Sequence, residues 1–168
     1  MGEVQYIVKR WAQWKCVIVA VMLVTGWIAK PYNESADIVL GEGNWVVRPF
    51  FSWDALYFHH IARFGYTAEK QWAFLPLYPL ISRFVSRLLV NVPEEIAIPV
   101  SLLIVSNIAH LVATIVLYYL TMVVFGDKKK AKMSAVLFAM SHASVQLTSA
   151  YSESLCALLS FTGFMFYY

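Results

Sequence analysis

Asp54, Glu69 and Glu153 are three carboxylates that stand beside long apolar runs in this chain of 168 residues. A carboxylate so placed can take the proton of an attacking hydroxyl, provided the fold brings the two within hydrogen-bond reach. Each also has a plainer reading. Asp54 follows Trp53 at the start of a helical pattern, where a negative charge complements the helix dipole. Glu69 reads as a solvated loop charge, and Glu153 as a helix-start charge after a Ser152 cap. Arg83 and Arg87 lie one helical turn apart, so together they can hold a phosphate by charge-assisted hydrogen bonds, or snorkel to lipid headgroups. Tyr57, Tyr66 and Trp72 suit a membrane interface as well as they suit a sugar. The four histidines form no HExxH pattern, Cys16 and Cys156 sit in apolar runs as small buried hydrophobes, and no glycine-rich phosphate loop occurs. No Asp-x-Asp or Glu-x-Asp surrounds Asp54. No metal and no cofactor is expected.

The elements that must position these groups follow from hydropathy. Trp11 to Ala29, interrupted by Gln13 and Lys15, covers roughly 28 Å as a helix, about one bilayer core. Trp27 occupies the −3 position of any cleavage site at Ala29, so this is an uncleaved anchor rather than a signal peptide. Val100 to Phe125 is a second span and holds Asn107 and His110; Gly126-Asp127 and the lysines 128, 129, 130 and 132 follow. A third run covers 133–148. A fourth, 155–168, amounts to about 21 Å and reaches the last residue as an incomplete span. The chain therefore reads as the front of a longer protein.

Lys9, Arg10 and Lys15 flank the first span and the lysine cluster flanks the second and third, two crossings apart. One orientation satisfies both groups, with the N-terminus and the lysine cluster cytoplasmic and the loop 30–99 translocated. Asn33-Glu34-Ser35 on that loop is an N-glycosylation sequon, a surface turn if unused. Within the loop, Trp53, Leu56, Tyr57, His60, Ile61 and Phe64 form one helical stripe suited to the membrane interface, with Ser52 to cap it and Gly65 to end it. A second short helix starts near Pro79, with Leu80, Phe84 and Leu88 on its apolar side.

Composition agrees. Hydrophobic residues make up 60% of the chain and charged residues 14%, against about 25% charged in soluble domains. Such a chain cannot coat a water-facing sphere, which excludes an ordinary cytosolic enzyme, a disordered tail and a disulfide scaffold. The net charge of +3 sits beside apolar spans, so it points to membrane topology and not to nucleic acid. The fold class is an all-α, polytopic integral membrane protein in one transmembrane domain, 1–168.

The stretches Trp53-Asp54-Ala55-Leu56-Tyr57-Phe58, Ile61-Ala62-Arg63-Phe64-Gly65-Tyr66, Glu69, Trp72-Ala73-Phe74-Leu75-Pro76-Leu77-Tyr78-Pro79 and Ala150-Tyr151-Ser152-Glu153-Ser154-Leu155 resemble, in order, the signature of the GPI mannosyltransferase 2 (PIG-V-type) family. The resemblance is to the N-terminal part of longer members. It implies a GT-C type helical bundle in the endoplasmic-reticulum membrane, here with its first three to four spans and a lumenal first loop carrying interfacial helices. It implies transfer of mannose from dolichyl phosphate mannose, by an α-1,6 link, to the first mannose of the glycosylphosphatidylinositol precursor. Asp54 falls at the position of the general base, and Arg63, Glu69 and Glu153 on other motif positions. Trp53, Arg63, Glu69, Arg83, Arg87 and Glu153 are the expected substrate-binding residues, with Arg48, Arg63, Arg83 and Arg87 available to a departing lipid phosphate. Two other readings stand beside it: a short non-catalytic membrane subunit that joins a larger transferase, and a dolichyl-phosphate-mannose-dependent enzyme with another acceptor.

Overall fold

The computed structural model describes residues 2–29 and 46–168, so the Asn33 sequon and the start of the 30–99 loop lie outside the described residues. Every regular element among those residues is helical. In order they are α1 (Glu3–Ile28), a 3-10 turn (Arg48–Phe50), α2 (Asp54–Phe64), a second 3-10 turn (Glu69–Ala73), α3 (Leu77–Leu88), α4 (Glu94–Phe125), α5 (Lys128–Ala139), α6 (Ser144–Thr148) and α7 (Glu153–Tyr167). Helices α1 and α4 are long and apolar enough to cross a membrane. At 1.5 Å per residue α4 measures about 48 Å against a hydrocarbon core of about 30 Å, so part of it continues beyond any bilayer. Its first turns carry buried Ala97, Ile98 and Pro99 and pack beside α3. The outward face of α1 shows Val17, Val21, Val24 and Trp27, which lipid can solvate and water cannot.

The two ends of the bundle differ. At one end Lys132 Nζ meets Glu3 Oε2 at 3.1 Å and lies over the Tyr6 ring, above a small core of Ile7, Tyr118, Ala131 and Ala135. The start of α1 and the lysine cluster therefore share this lysine end. At the other, loop end, Met22, Phe50, Phe51, Ala55, Phe58, Tyr78, Ile98, Leu102, Ala150 and Leu155 form the larger core.

The run 133–148, expected as one helix, is broken after Ala139 and resumes as α6. Ser144 donates its hydroxyl to the Ser141 carbonyl, the local bonding that competes with a continuing helix. The carbonyls at the end of the short α6 that follows are met by the polar residues that interrupt the apolar runs. Lys15 Nζ donates to Leu147 O (3.0 Å) and Thr148 Oγ1 (2.7 Å), and Asn107 Nδ2 donates to Thr148 O (3.0 Å). Trp14 Nε1 donates to Ser144 Oγ at 2.9 Å, and Ser154 Oγ to Leu147 O at 3.1 Å. Irregular backbone within a membrane domain is tolerated where protein satisfies it, which is the case here. One turn further along α4, Trp11 Nε1 donates to His110 Nδ1 at 3.3 Å.

Smaller differences have similar causes. Helix α2 is capped by Trp53, not Ser52, and makes no side-chain cap bond; Gly65 does end it, at φ 77°. Its close-packed face is Ala55, Phe58, His59, Ile61 and Ala62, because two alanines let it approach its neighbours; of the stripe expected at the membrane interface, Trp53 and Phe64 are exposed and Ile61 is buried. Helix α3 begins at Leu77, since a first turn accepts Pro79 without losing a bond, and it turns Leu80, Phe84 and Leu88 outward. Cys16 and Cys156 are exposed on the outside of apolar helices, not buried.

Candidate functional site

Asp54 is delivered by a short clamped segment. The 3-10 turn Arg48–Phe50 sets Pro49 against Gly26 of α1, where only a glycine leaves room: a Cβ there would stand 2.5 Å from Pro49 Cγ. Phe50 and Phe51 are buried, and Phe50 O accepts the Ala150 N–H at 3.1 Å. Two residues on, Ser52 O accepts the Tyr151 hydroxyl at 2.9 Å and the Ala55 N–H at 3.1 Å. Trp53 then takes φ 53°, ψ −108°, a left-handed conformation that costs a bulky residue energy, and Asp54 opens α2 where the helix dipole favours its charge.

Asp54 borders a cavity of about 430 Å³, and the walls are largely apolar: Phe58, Phe74, Leu75, Leu77, Leu155 and Leu159, with Tyr78, Ser152 and Cys156. Phe58 meets Phe74 and Tyr78 edge-on at 5.3 and 5.0 Å between ring centres, which stiffens this wall. Glu153 opens α7 beside Ser152. Burial pushes the Tyr151 phenol above its ordinary pKa, and the Asp54 and Glu153 charges push it the same way. Tyr78, which donates to Leu102 O at 2.9 Å, is raised too, by burial first and by Glu153 second.

The structure thus brings Asp54 and Glu153 together around Tyr151, with Trp53 adjacent and exposed. It places the other expected residues elsewhere. Arg63 is nine positions after Asp54, about half a turn round the helix in projection, and pairs with Glu95 at 3.0 Å. It borders a second cavity of about 680 Å³ with Tyr57, His59, His60, Thr67 and Lys70. His59 in that wall is held down to a pKa of about 4 by burial, then by the Arg63 and His60 charges. Arg83 and Arg87 border a third cavity, about 360 Å³, with Glu94. Glu69 starts an exposed 3-10 turn whose fold is held by Gln71 Oε1, which accepts from the Thr67 and Ala68 N–H groups. Tyr66 and Trp72 stack at 4.5 Å. Among the described residues no three His, Cys, Asp or Glu side chains come together to hold a metal ion.

Tyr151 and Tyr78 received no role in the reading of the sequence, although both lie inside the motif stretches. Their signal is positional: each is a tyrosine beside an acidic turn or a proline pair. Chemically, a carboxylate at the lip of an apolar cleft can accept a proton from a hydroxyl brought there, while the wall takes a hydrocarbon chain.

Comparison with known proteins adds the following. The family model described as Mannosyltransferase (PIG-V) matches residues 31–167. GPI mannosyltransferase 2 of Chaetomium globosum is 29% identical over 96% of this chain and 39% of its own length. GPI mannosyltransferase 2 of Gibberella zeae is 32% identical over 93% of this chain and 37% of its own. GPI alpha-1,6-mannosyltransferase 2 of Cricetulus griseus is 33% identical over 66% of this chain and 23% of its own. The chain therefore spans less than half the length of these curated relatives. No solved structure matches it.

Proposed function

The chain belongs to the mannosyltransferase (PIG-V) family, and on that premise we propose that the complete protein adds the second mannose, through an α-1,6 link, to the glycosylphosphatidylinositol precursor in the endoplasmic-reticulum lumen. The donor is dolichyl phosphate mannose and no cofactor takes part. The bundle is the opening part of a GT-C type transferase, multi-pass, with α5, α6 and α7 completing the crossings that α1 and α4 begin. The N-terminus and the lysine end face the cytoplasm and the 30–99 loop faces the lumen. The Lys132–Glu3 pair, which holds both basic flanks at one end, supports that orientation.

The observation that carries the reading is Asp54 at the lip of a cavity with apolar walls between α3 and α7, where Ser152 of the wall leads into Glu153. The isoprenoid chain lies against Leu75, Leu77, Leu155 and Leu159, and its mannosyl phosphate reaches the polar lip. Asp54 takes the proton from the acceptor hydroxyl as that oxygen bonds to the anomeric carbon. The bond from that carbon to the phosphate oxygen breaks, and dolichyl phosphate leaves with the electron pair. Its charge needs a cation. Of the four arginines considered, Arg48 lies on the segment that leads into Asp54, while Arg63, Arg83 and Arg87 line other cavities. Those three bind the acceptor glycolipid or the leaflet around it.

Asp54→Asn tests the assignment. Introduced into the complete protein in cells lacking the activity, it should reach the membrane at the normal level, lower transfer by roughly 10²–10⁴-fold and leave the one-mannose precursor to accumulate. Normal addition of the second mannose by that variant would overturn the base assignment. Accumulation of any other precursor on depletion would change the acceptor.

A further inference from the structure

We infer that Tyr151 is a positioning residue for Asp54: its hydroxyl, donated to the Ser52 carbonyl, holds the Ser52–Trp53 peptide in the one conformation that sets the Asp54 carboxylate at the lip of the cavity. The inference rests on the function proposed above and adds a residue to it.

The φ of 53° with ψ −108° at Trp53 is one that a side chain larger than hydrogen avoids, so something outside the residue must impose it. Its own side chain does not, being 67% exposed. A helix cap does not, because no side chain caps the start of α2. Two cross-links do reach this segment. They are the Ala150 N–H to Phe50 O and the Tyr151 O–H to Ser52 O, two rungs that pin residues 50 and 52 to residues 150 and 151. The first fixes a buried stretch, since Phe50, Phe51 and Ala150 are all buried. The second acts on the carbonyl directly before the strained residue, the one whose rotation sets φ of Trp53.

The far side of the tether is firm. Ser149 is buried, and α6 just before it is held by Lys15 and Asn107 through Leu147 and Thr148. Tyr151 therefore reaches out from an anchored turn to a segment that would otherwise relax. Without the hydroxyl, Trp53 returns to negative φ, the peptide swings and the carboxylate leaves its place. Near the reacting atoms a shift of about 1 Å can cost roughly a hundredfold in rate.

The test is Tyr151→Phe in the complete protein, with Asp54→Asn and Trp53→Gly beside it, assayed in membranes with dolichyl phosphate mannose. Tyr151→Phe should lower kcat by roughly ten- to a hundredfold. KM for the donor should stay near wild type, and so should the membrane level and melting temperature, because the cavity wall is untouched. Glycine holds positive φ at no steric cost, so on the Trp53→Gly background the same tyrosine change should cost several-fold less. An inactive Asp54→Asn with a wild-type kcat for Tyr151→Phe overturns this inference alone. So does an equal loss on both backgrounds, or a loss that appears as a raised KM and a lower membrane level. A fully active Asp54→Asn overturns the proposed function and this inference with it.

Discussion

The lysine end and the loop end of the same bundle are built by different rules. At the lysine end each terminus is finished in the ordinary way. Gly126 closes α4 at φ 63°, the Asp127 side chain accepts the Lys129 and Lys130 N–H groups to open α5, and Gln5 accepts the Gly2 N–H at the start of α1. The packing between them uses Ala131 and Ala135, small residues that let helices close up. At the loop end α2, α3, α4 and α7 all start without a side-chain cap, behind Trp53, Pro76, Pro93 and Ser152. Trp53 is strained, His59 carries a buried Nε2 with no partner among the described residues, and cavities open beside Asp54, Arg63 and Arg83. Local rules are broken where a protein needs a group held in an unrelaxed place. The comparison implies that changes at the loop end cost activity out of proportion to stability, and changes at the lysine end do not.

Of the changes that compare the two ends, the largest effect should come from Gly26→Ala, at the contact between α1 and the turn that delivers Asp54. Alanine gains about 1 kcal/mol as a helix former over glycine. Against that, its Cβ would stand 2.5 Å from the Pro49 ring, and overpacking of that kind costs about 1–3 kcal/mol. The two nearly offset, so the melting temperature should move by only a few degrees. The turn must shift to admit the methyl, taking Phe50 and Ser52 off their partners, and mannose transfer should fall by about tenfold or more. Transfer at the wild-type rate would mean that the loop end tolerates displacement, and the contrast between the ends would collapse.

Asn107→Leu probes the link between them. It keeps the size of the side chain and removes the donor to Thr148 O, leaving a buried carbonyl without that partner at the end of α6. The cost should be about 1–3 kcal/mol, read as thermal unfolding in detergent. Transfer should fall less than in the glycine variant, because Lys15 still holds Leu147 and Thr148. An unchanged melting temperature would show that Lys15 alone secures the end of α6.

How far this arrangement can be read from the sequence differs between the ends as well. Length and hydropathy suffice for α1 and α4, because a helix that must cover a bilayer repeats one simple requirement over some twenty residues. The lysine cluster and Gly126-Asp127 also state their roles locally. The end of α6 at Leu147 and Thr148 does not, because it depends on donors from Lys15 and Asn107, which are far away in sequence. Asp54 and Glu153 were visible as carboxylates in motif stretches. Their meeting around Tyr151 was not, since it requires residues 50–52 to dock on residues 150–151, about a hundred positions apart. The face that α2 buries is hard to read from hydropathy for a related reason: Ala55 and Ala62 carry little apolar weight yet decide which side can approach its neighbours. The arginines show the opposite case. Arg63, Arg83 and Arg87 look alike as phosphate partners, and only the fold turns them away from the Asp54 cavity.

The smallest effect should come from Asp127→Ala, and its smallness is the sharpest check on the contrast. The Lys130 and Lys129 N–H groups hold this carboxyl below its ordinary value of 3.8, so its contribution to stability is present above that value and fades as pH falls through the lowered one. Solvent reaches the carboxylate, so water and salt screen much of what it contributes. The variant should melt slightly below wild type at neutral pH, the gap should close as the medium is made acid, and transfer should be unchanged. A loss of transfer from this position, with the fold intact, would show that the lysine end also positions the chemistry and that the two ends work as one unit.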